Sequence, residues 1–174
     1  MKVYLPLVLA IGSVWNVSSL AQVPSDWRDL ADHMTGNWSM TGQVVRQDAH
    51  HSVHAEWMLN RQFLRIEENT VRDAPASERR YNAVWFLGYD EVSERYVIHL
   101  LDGYGARFSE TLGYGIRNGN EIQFVFEYPD GPFHTTFRWS PASDKWEWLM
   151  EQKGKDGKWG QFADLNLVRE KGPS

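Results

Sequence analysis

Two runs of alternating aromatic residues, 121–128 and 133–139, constrain this chain more than any other stretch. In the first, Ile122, Phe124, Phe126 and Tyr128 fall at every second position; in the second, Phe133, Thr135, Phe137 and Trp139 do. Successive side chains of a strand point to opposite faces, so each run has one aromatic face and one more polar face. Between them stands Pro129-Asp130-Gly131-Pro132. Proline presets φ, glycine supplies φ > 0, and neither belongs inside a strand. The two runs therefore read as an antiparallel hairpin, and the rest of the chain repeats the pattern.

Ser25 to Met34 reads as a short helix. Ser25 or Asp26 suits the N-cap, and Trp27, Leu30, Ala31 and Met34 recur at helical spacing ahead of Gly36, a fitting stop. A helix this short needs an apolar surface to dock on. Strands are expected over 38–47, 51–60, 62–71, 81–89, 95–101 and 106–114, then the aromatic pair, then 145–152 and 159–169. Turn residues such as Asn118-Gly119 and Asp156-Gly157 separate them, and 72–80 is a polar loop. So many consecutive strands joined by short turns curl and close, which removes exposed edges. The expected fold is all-β, a single closed antiparallel up-and-down barrel of about ten strands with a short N-terminal helix.

The start of the chain looks like a targeting segment. Lys2 precedes a mostly apolar run from Val3 to Val17, and Ser18-Ser19-Leu20-Ala21 places small residues at the −3 and −1 positions. This is the pattern of a secretory signal cleaved after Ala21, so residues 1–21 are expected to be removed and 22–174 to form one domain of an exported, periplasmic or secreted protein. The apolar run is shorter than the ~20 residues a membrane span needs, and no later stretch is long and apolar enough. The formal net charge is −5. Acidity of this kind argues against a nucleic-acid partner, which needs a basic face, and against a polybasic membrane patch. There is no cysteine, so no disulfide supports the core. Nine tryptophans, eight of them beyond the leader, point instead to a core built on large rings.

Thr35-Gly36-Asn37-Trp38 places a Gly-x-Trp at the start of the first strand, just after the helix. Glu56-Trp57-Met58-Leu59-Asn60-Arg61-Gln62-Phe63-Leu64, Phe86-Leu87-Gly88-Tyr89-Asp90 with Tyr96-Val97, and Asp156-Gly157-Lys158-Trp159 accompany it. Over residues 30–169 the chain resembles lipocalins and their calycin relatives, and in particular the bacterial domain-of-unknown-function family 1579, a lipocalin-like group with exported members. Asn60 and Gln62 stand near a usual glycine pair of that group, a departure that bears on the turn between the second and third strands. The resemblance implies a barrel plugged at one end by Trp38 and a small apolar ligand. It implies no reaction, since a fold alone does not fix function.

Glu110 is the one weak candidate for catalysis. It shares strand parity with Ala106, Phe108, Leu112 and Tyr114, so it is expected to point inward, where an unpaired carboxylate is costly and its pKa rises. It suits a general acid or base, or a partner for a polar head group; a solvated place at the barrel mouth is the plainer alternative. The expected ligand-binding set is Phe108, Glu110 and Tyr114 on the sixth strand, Phe124, Phe126 and Tyr128 on the seventh, Phe137 and Trp139 on the eighth, and Trp146 and Trp148 on the ninth. Such a stripe lines a cavity or fills a core.

No metal site is expected. In His50-His51-x-x-His54, His51 and His54 have opposite parity, which reads as a solvated strand start. Haem is disfavoured as well, because His99 and His134 both carry outward parity; no cofactor is expected. The fourth and fifth strands are apolar on both faces, with Val84, Phe86, Val97 and Leu101 outward, so either the helix or a second subunit in a homodimer is expected to cover them. The leading expectation is a barrel holding a small, mostly apolar ligand. The alternatives are an enzyme using Glu110 and a non-catalytic interaction module with a filled barrel.

Overall fold

A computed structural model describes residues 26–171; the expected leader at 1–21 and the expected Ser25 cap lie outside the described residues. The element order is α1 (Arg28–Asp32), β1 (Gly36–Val44), β2 (Gln47–Met58), β3 (Phe63–Thr70), β4 (Asn82–Asp90), β5 (Arg95–Asp102), a 3-10 turn (Ala106–Phe108), β6 (Leu112–Asn118), β7 (Glu121–Tyr128), β8 (Gly131–Ser140), β9 (Lys145–Lys153) and β10 (Trp159–Arg169). Each strand pairs antiparallel with its neighbours in sequence, and β1 pairs with β10 to close a ten-stranded barrel. Closure leaves no free sheet edge.

The chain starts β1 at the end where α1 sits. The hairpin turns therefore divide between two ends of the barrel. The turns after β2, β4, β6 and β8 lie at the α1 end, and those after β1, β3, β5, β7 and β9 lie at the other.

The helix is a plug for its end of the barrel, and the barrel satisfies its exposed backbone. A helix C-terminus leaves carbonyl groups without intrahelical donors. Here the indole Nε1 of Trp38 donates to Met34 O at 2.7 Å, and that of Trp146 donates to His33 O at 3.4 Å. Arg169 donates from Nη1 to Thr35 O and from Nη2 to His33 O, with its guanidinium 4.1 Å from the centre of the Trp38 ring. Tyr96 Oη donates to Trp27 O, and Trp57 Nε1 donates to the Asp32 carboxylate. Trp27, Leu30, Ala31 and Met34 are buried in this contact. The helix thus closes the barrel end and leaves the outer face of β4 and β5 uncovered, where Leu101 remains exposed and the Arg95 guanidinium lies 4.5 Å from the centre of the Tyr114 ring on β6.

Strand boundaries depart from expectation at the β7–β8 turn, where Gly131 and Pro132 belong to β8 opposite Tyr128 and Glu127 rather than to the turn, and at three further places. β1 ends at Val44, and Val45 and Arg46 both take left-handed backbone, with φ of 48° and 64°. Two left-handed residues are what a tight two-residue hairpin needs, although Asn and Gly are its usual occupants. β2 therefore begins at Gln47 rather than His51, which brings His50 and His51 well inside the strand. Between β2 and β3, Leu59, Asn60 and Arg61 are all left-handed. This turn contains no glycine, and α1 secures it: Arg61 Nη2 pairs with Asp32 at 2.7 Å, and Arg28 Nε donates to Arg61 O at 2.8 Å.

The third of these further places is the sixth strand. It covers Leu112–Asn118, with Ala106–Phe108 as a 3-10 turn before it. Leu112, Tyr114 and Ile116 face out, and Gly113 and Gly115 face in. A Cβ at Gly113 would meet Phe126 Cζ at 2.6 Å and Ile98 Cγ2 at 2.7 Å; one at Gly115 would meet Phe124 Cδ1 at 2.7 Å. The rings of β7 occupy the space that inward side chains on β6 would need. Inward parity for Glu110 and Tyr114 is therefore corrected: the bulky residues mark the outer face of this strand.

Gly42 sits in the β1–β10 seam opposite Leu165, with φ of 155°. A Cβ there would lie 2.0 Å from Asp164 O and 2.9 Å from Leu165 Cα, both backbone atoms that cannot rotate away. Gly42→Ala is expected to destabilise the protein by about 3 kcal/mol, the upper part of the usual overpacking range. Urea unfolding followed by Trp fluorescence checks this; an unchanged midpoint would contradict the seam geometry.

Candidate functional site

The two halves of the barrel interior differ in how they are filled. At the α1 end, Trp38, Trp139 and Trp146 are buried together, with Trp139 and Trp146 centroids 5.4 Å apart. Towards the middle, Phe137 stacks on Trp148 at 4.6 Å, and Phe124 meets Phe137 edge-on at 5.6 Å. These rings leave little space. Beyond them, at the end away from α1, a cavity of about 570 Å³ opens. That volume falls within the roughly 300–1,000 Å³ typical of small-molecule sites.

The cavity exists because the inward positions at this level are either small or folded against the wall. Ala49 on β2 and Thr135 on β8 are short. Tyr128 stacks flat on Phe126, with centroids 5.4 Å apart and ring planes within 4°, instead of crossing the lumen. Trp85, Leu100, Phe126, Met150 and Leu165 form the apolar wall, and Phe133 and Phe162 add an edge-to-face pair at 5.2 Å. Tyr104 and Phe108, from the β5–β6 connection, stand at the mouth with Tyr81.

One wall is polar. On β3, Leu64, Ile66 and Glu68 share the inward face, so the period that buries two aliphatic side chains also buries a carboxylate. Glu68 is only 2% exposed. A buried carboxylate is costly unless hydrogen-bonded. Its Oε1 lies 2.6 Å from His51 Nδ1, and Trp85 Nε1 donates to its Oε2 at 3.3 Å. A carboxylate can only accept, so the Nδ1 hydrogen of His51 is committed to Glu68. The other ring nitrogen, Nε2, lies 3.6 Å from Glu78 Oε1.

Glu78 comes from the 71–81 loop and folds back over the strand. It accepts from the His50 backbone N–H at 2.8 Å, and its other oxygen lies 2.9 Å from His50 Nδ1. Burial pushes the Glu78 carboxyl up, but the His50 backbone and ring donors outweigh this and hold it below its ordinary value. Tyr81 stacks on His51 at 5.8 Å; burial, with the nearby Glu68 and Asp102 charges, raises its phenol strongly. Burial, aided by Asp102, pushes Tyr128 up to about 12. Both phenols are therefore neutral hydroxyls at any physiological pH.

Two buried polar atoms have no hydrogen-bond partner among the described residues, Thr135 Oγ1 and Trp148 Nε1. Thr135 lines the cavity, whereas Trp148 belongs to the packed half. A buried hydroxyl left without a partner costs about 1–3 kcal/mol.

The residues expected at the site are thus divided by the fold. Phe108, Phe126 and Tyr128 line the cavity. Phe124, Phe137, Trp139, Trp146 and Trp148 are buried in the packed half instead. Tyr114 is 41% exposed on the outer face. Glu110 is exposed in a bend outside the barrel wall and does not reach the interior. His99 and His134 both stand outside; His99 Nε2 meets Ser109 O at 2.7 Å, and His134 stacks on Trp159 at 3.7 Å.

His51, Glu68 and Glu78 were not expected at the site. His51, read as solvated, is 5% exposed, because β2 begins early enough to enclose it. Its parity with Val53 and Ala55 was the available signal. Among the described residues no group of three or more His, Cys, Asp or Glu side chains is placed to hold a metal ion, and no helix is long and apolar enough to cross a membrane. No family model matches the chain, and no curated protein matches it.

The depressed Glu78 carboxyl has a defined pH signature. A group whose folded pKa lies below its unfolded value adds stability above that value, near 4.5 here, and loses it as pH falls through the folded pKa. Wild type is therefore expected to exceed Glu78→Gln in stability at pH 7, with the difference shrinking as pH drops below 4.5. Urea midpoints measured from pH 7 to pH 3 check this; a difference that stays constant would contradict it.

Proposed function

We propose that this barrel binds a small, mostly apolar molecule in the cavity at the end away from α1. The cavity itself is the observation that carries the reading. Its volume suits one small ligand, its walls are chiefly aromatic and aliphatic, and a few polar groups converge on one side. A mouth framed by Tyr81, Tyr104 and Phe108 supplies amphipathic rings at the water boundary. A filled interaction module has less support, since an interior of this volume holds far more than a few waters. Acid–base chemistry at Glu110 has none, because that side chain is exposed outside the barrel.

The closed antiparallel barrel, with Trp38 buried under the helix end, is consistent with a calycin-like barrel. The lipocalin-like identity and the likeness to the family-1579 group belong to this proposal. So does export directed by the leader at 1–21, which would place the binding site outside the cytoplasm.

The test uses N-phenyl-1-naphthylamine, a neutral lipophilic probe whose emission rises in apolar surroundings. Titration should raise probe emission and quench protein fluorescence, because Trp85 is part of the cavity wall. Leu100→Trp, which fills the lumen from β5, should weaken probe binding by about tenfold or more, equivalent to about 1.4 kcal/mol. Its thermal unfolding, measured in parallel, should remain cooperative. A flat titration with this probe and across a broad lipophilic panel would contradict the reading.

A further inference from the structure

The lining of the cavity also carries a charge preference, an inference that rests on the cavity being a binding site. Five carboxylates face it, Asp48, Glu68, Glu78, Asp102 and Asp130, against the guanidinium of Arg79. Neighbouring cations do not reverse this. Arg107 pairs with Asp130 at 2.6 Å, and the Arg79 guanidinium is engaged 4.7 Å from the centre of the Tyr104 ring. Even with Arg107, His50 and His51 all counted as charged, the carboxylates remain in excess. Glu68 and Glu78 are buried, so water and salt screen them less than they screen Asp48 and Asp130 at the rim.

An anionic ligand such as a fatty acid would meet like charge beside Glu68 and Glu78; among the described residues the lining holds one guanidinium, that of the exposed Arg79, and the His51 imidazole, which is already engaged by Glu68. A cation would meet opposite charge and the faces of Tyr81, Trp85 and Tyr104. Thr135, on the inward face of β8 at this level, is fully buried, so its hydroxyl is packed away from the lumen and offers an occupant no contact.

We propose that the cavity takes an amphiphilic amine, with its apolar body between Phe126 and Met150 and its ammonium group on the side of the wall that holds the Glu68 and Glu78 carboxylates. The amine supplies N–H donors, which carboxylates, as acceptors, can use. The His51 ring, held by Glu68, keeps the carboxylate aimed along the wall.

Isothermal titration calorimetry with three probes sharing one body tests this: 4-phenylbutylamine, 4-phenylbutanol and 4-phenylbutyrate, each titrated into the mature chain. The amine should bind at least about tenfold more tightly than the alcohol, as charge-assisted hydrogen bonds exceed neutral ones, and the carboxylate should bind weakest. Glu68→Gln should bring the amine towards the affinity of the alcohol. Should that variant fold poorly, Asp48→Asn at the exposed rim should reduce the amine's advantage in the same direction, as should raising the salt concentration. Equal affinity for amine and alcohol, or tighter binding of the carboxylate, would overturn the charge preference and leave the cavity as a neutral site. Binding by none of the three would overturn both readings.

Discussion

Closure of the sheet through β1 and β10 is the constraint on which everything else depends. Seven residue pairs, from Trp38 opposite Arg169 to Val44 opposite Ala163, make the seam. Once it forms, the inward side chains of all ten strands share one enclosed volume, and period-two alternation becomes a division between core and water. Opening the seam would bare two edge strands and hydrate rings that are now buried. Gly42 keeps the seam tight by letting β1 approach the backbone of β10 more closely than a Cβ permits. The same seam sets Arg169 over Trp38, where it also reaches the carbonyls that follow the helix.

The enclosed volume is then spent unevenly. Large rings and the helix fill one end, where the indole N–H groups of Trp38 and Trp146 donate to the carbonyls of Met34 and His33 just past the helix, while that of Trp148 has no partner among the described residues. A buried indole usually finds such a partner for its polar edge. At the other end, short side chains and rings stacked along the wall leave space. The polar groups concentrate beside that space, because a buried carboxylate such as Glu68 needs donors that only a neighbouring strand can supply: His51 from β2 and Trp85 from β4. The solid half anchors the fold, and the hollow half is free to carry chemistry.

Much of this architecture was legible in the residues. The hairpin of β7 and β8 shows its inward set at 122, 124, 126, 128, 133, 135, 137 and 139 as plain alternation, and the structure places those side chains together. Trp38 as an end plug was what the resemblance to lipocalins implied, and the side chain is fully buried at the helix end. What failed were inferences that size alone marks the inner face. On β6 the inner face belongs to Gly113 and Gly115, because partners on β7 and β5 take the room, and no local pattern announces a space filled from elsewhere. The turn at Val45 and Arg46 carries no glycine or asparagine, so the true start of β2 was hidden, and His51 with it. Glu68 stands in the polar run Glu67-Glu68-Asn69 and drew no reading from the sequence. Its burial depends on partners 17 positions away in either direction along the chain.

A xenon-pressurised crystal tests the central claim most directly. Xenon should settle against the apolar part of the hollow half, away from its carboxylate wall, as it does on apolar cavity surfaces. The account predicts xenon density bounded by Trp85, Phe126, Met150 and Leu165, and none among Trp38, Trp139 and Trp146. Density at the tryptophan-filled end, or an interior collapsed around Thr135 with no xenon at all, would contradict it.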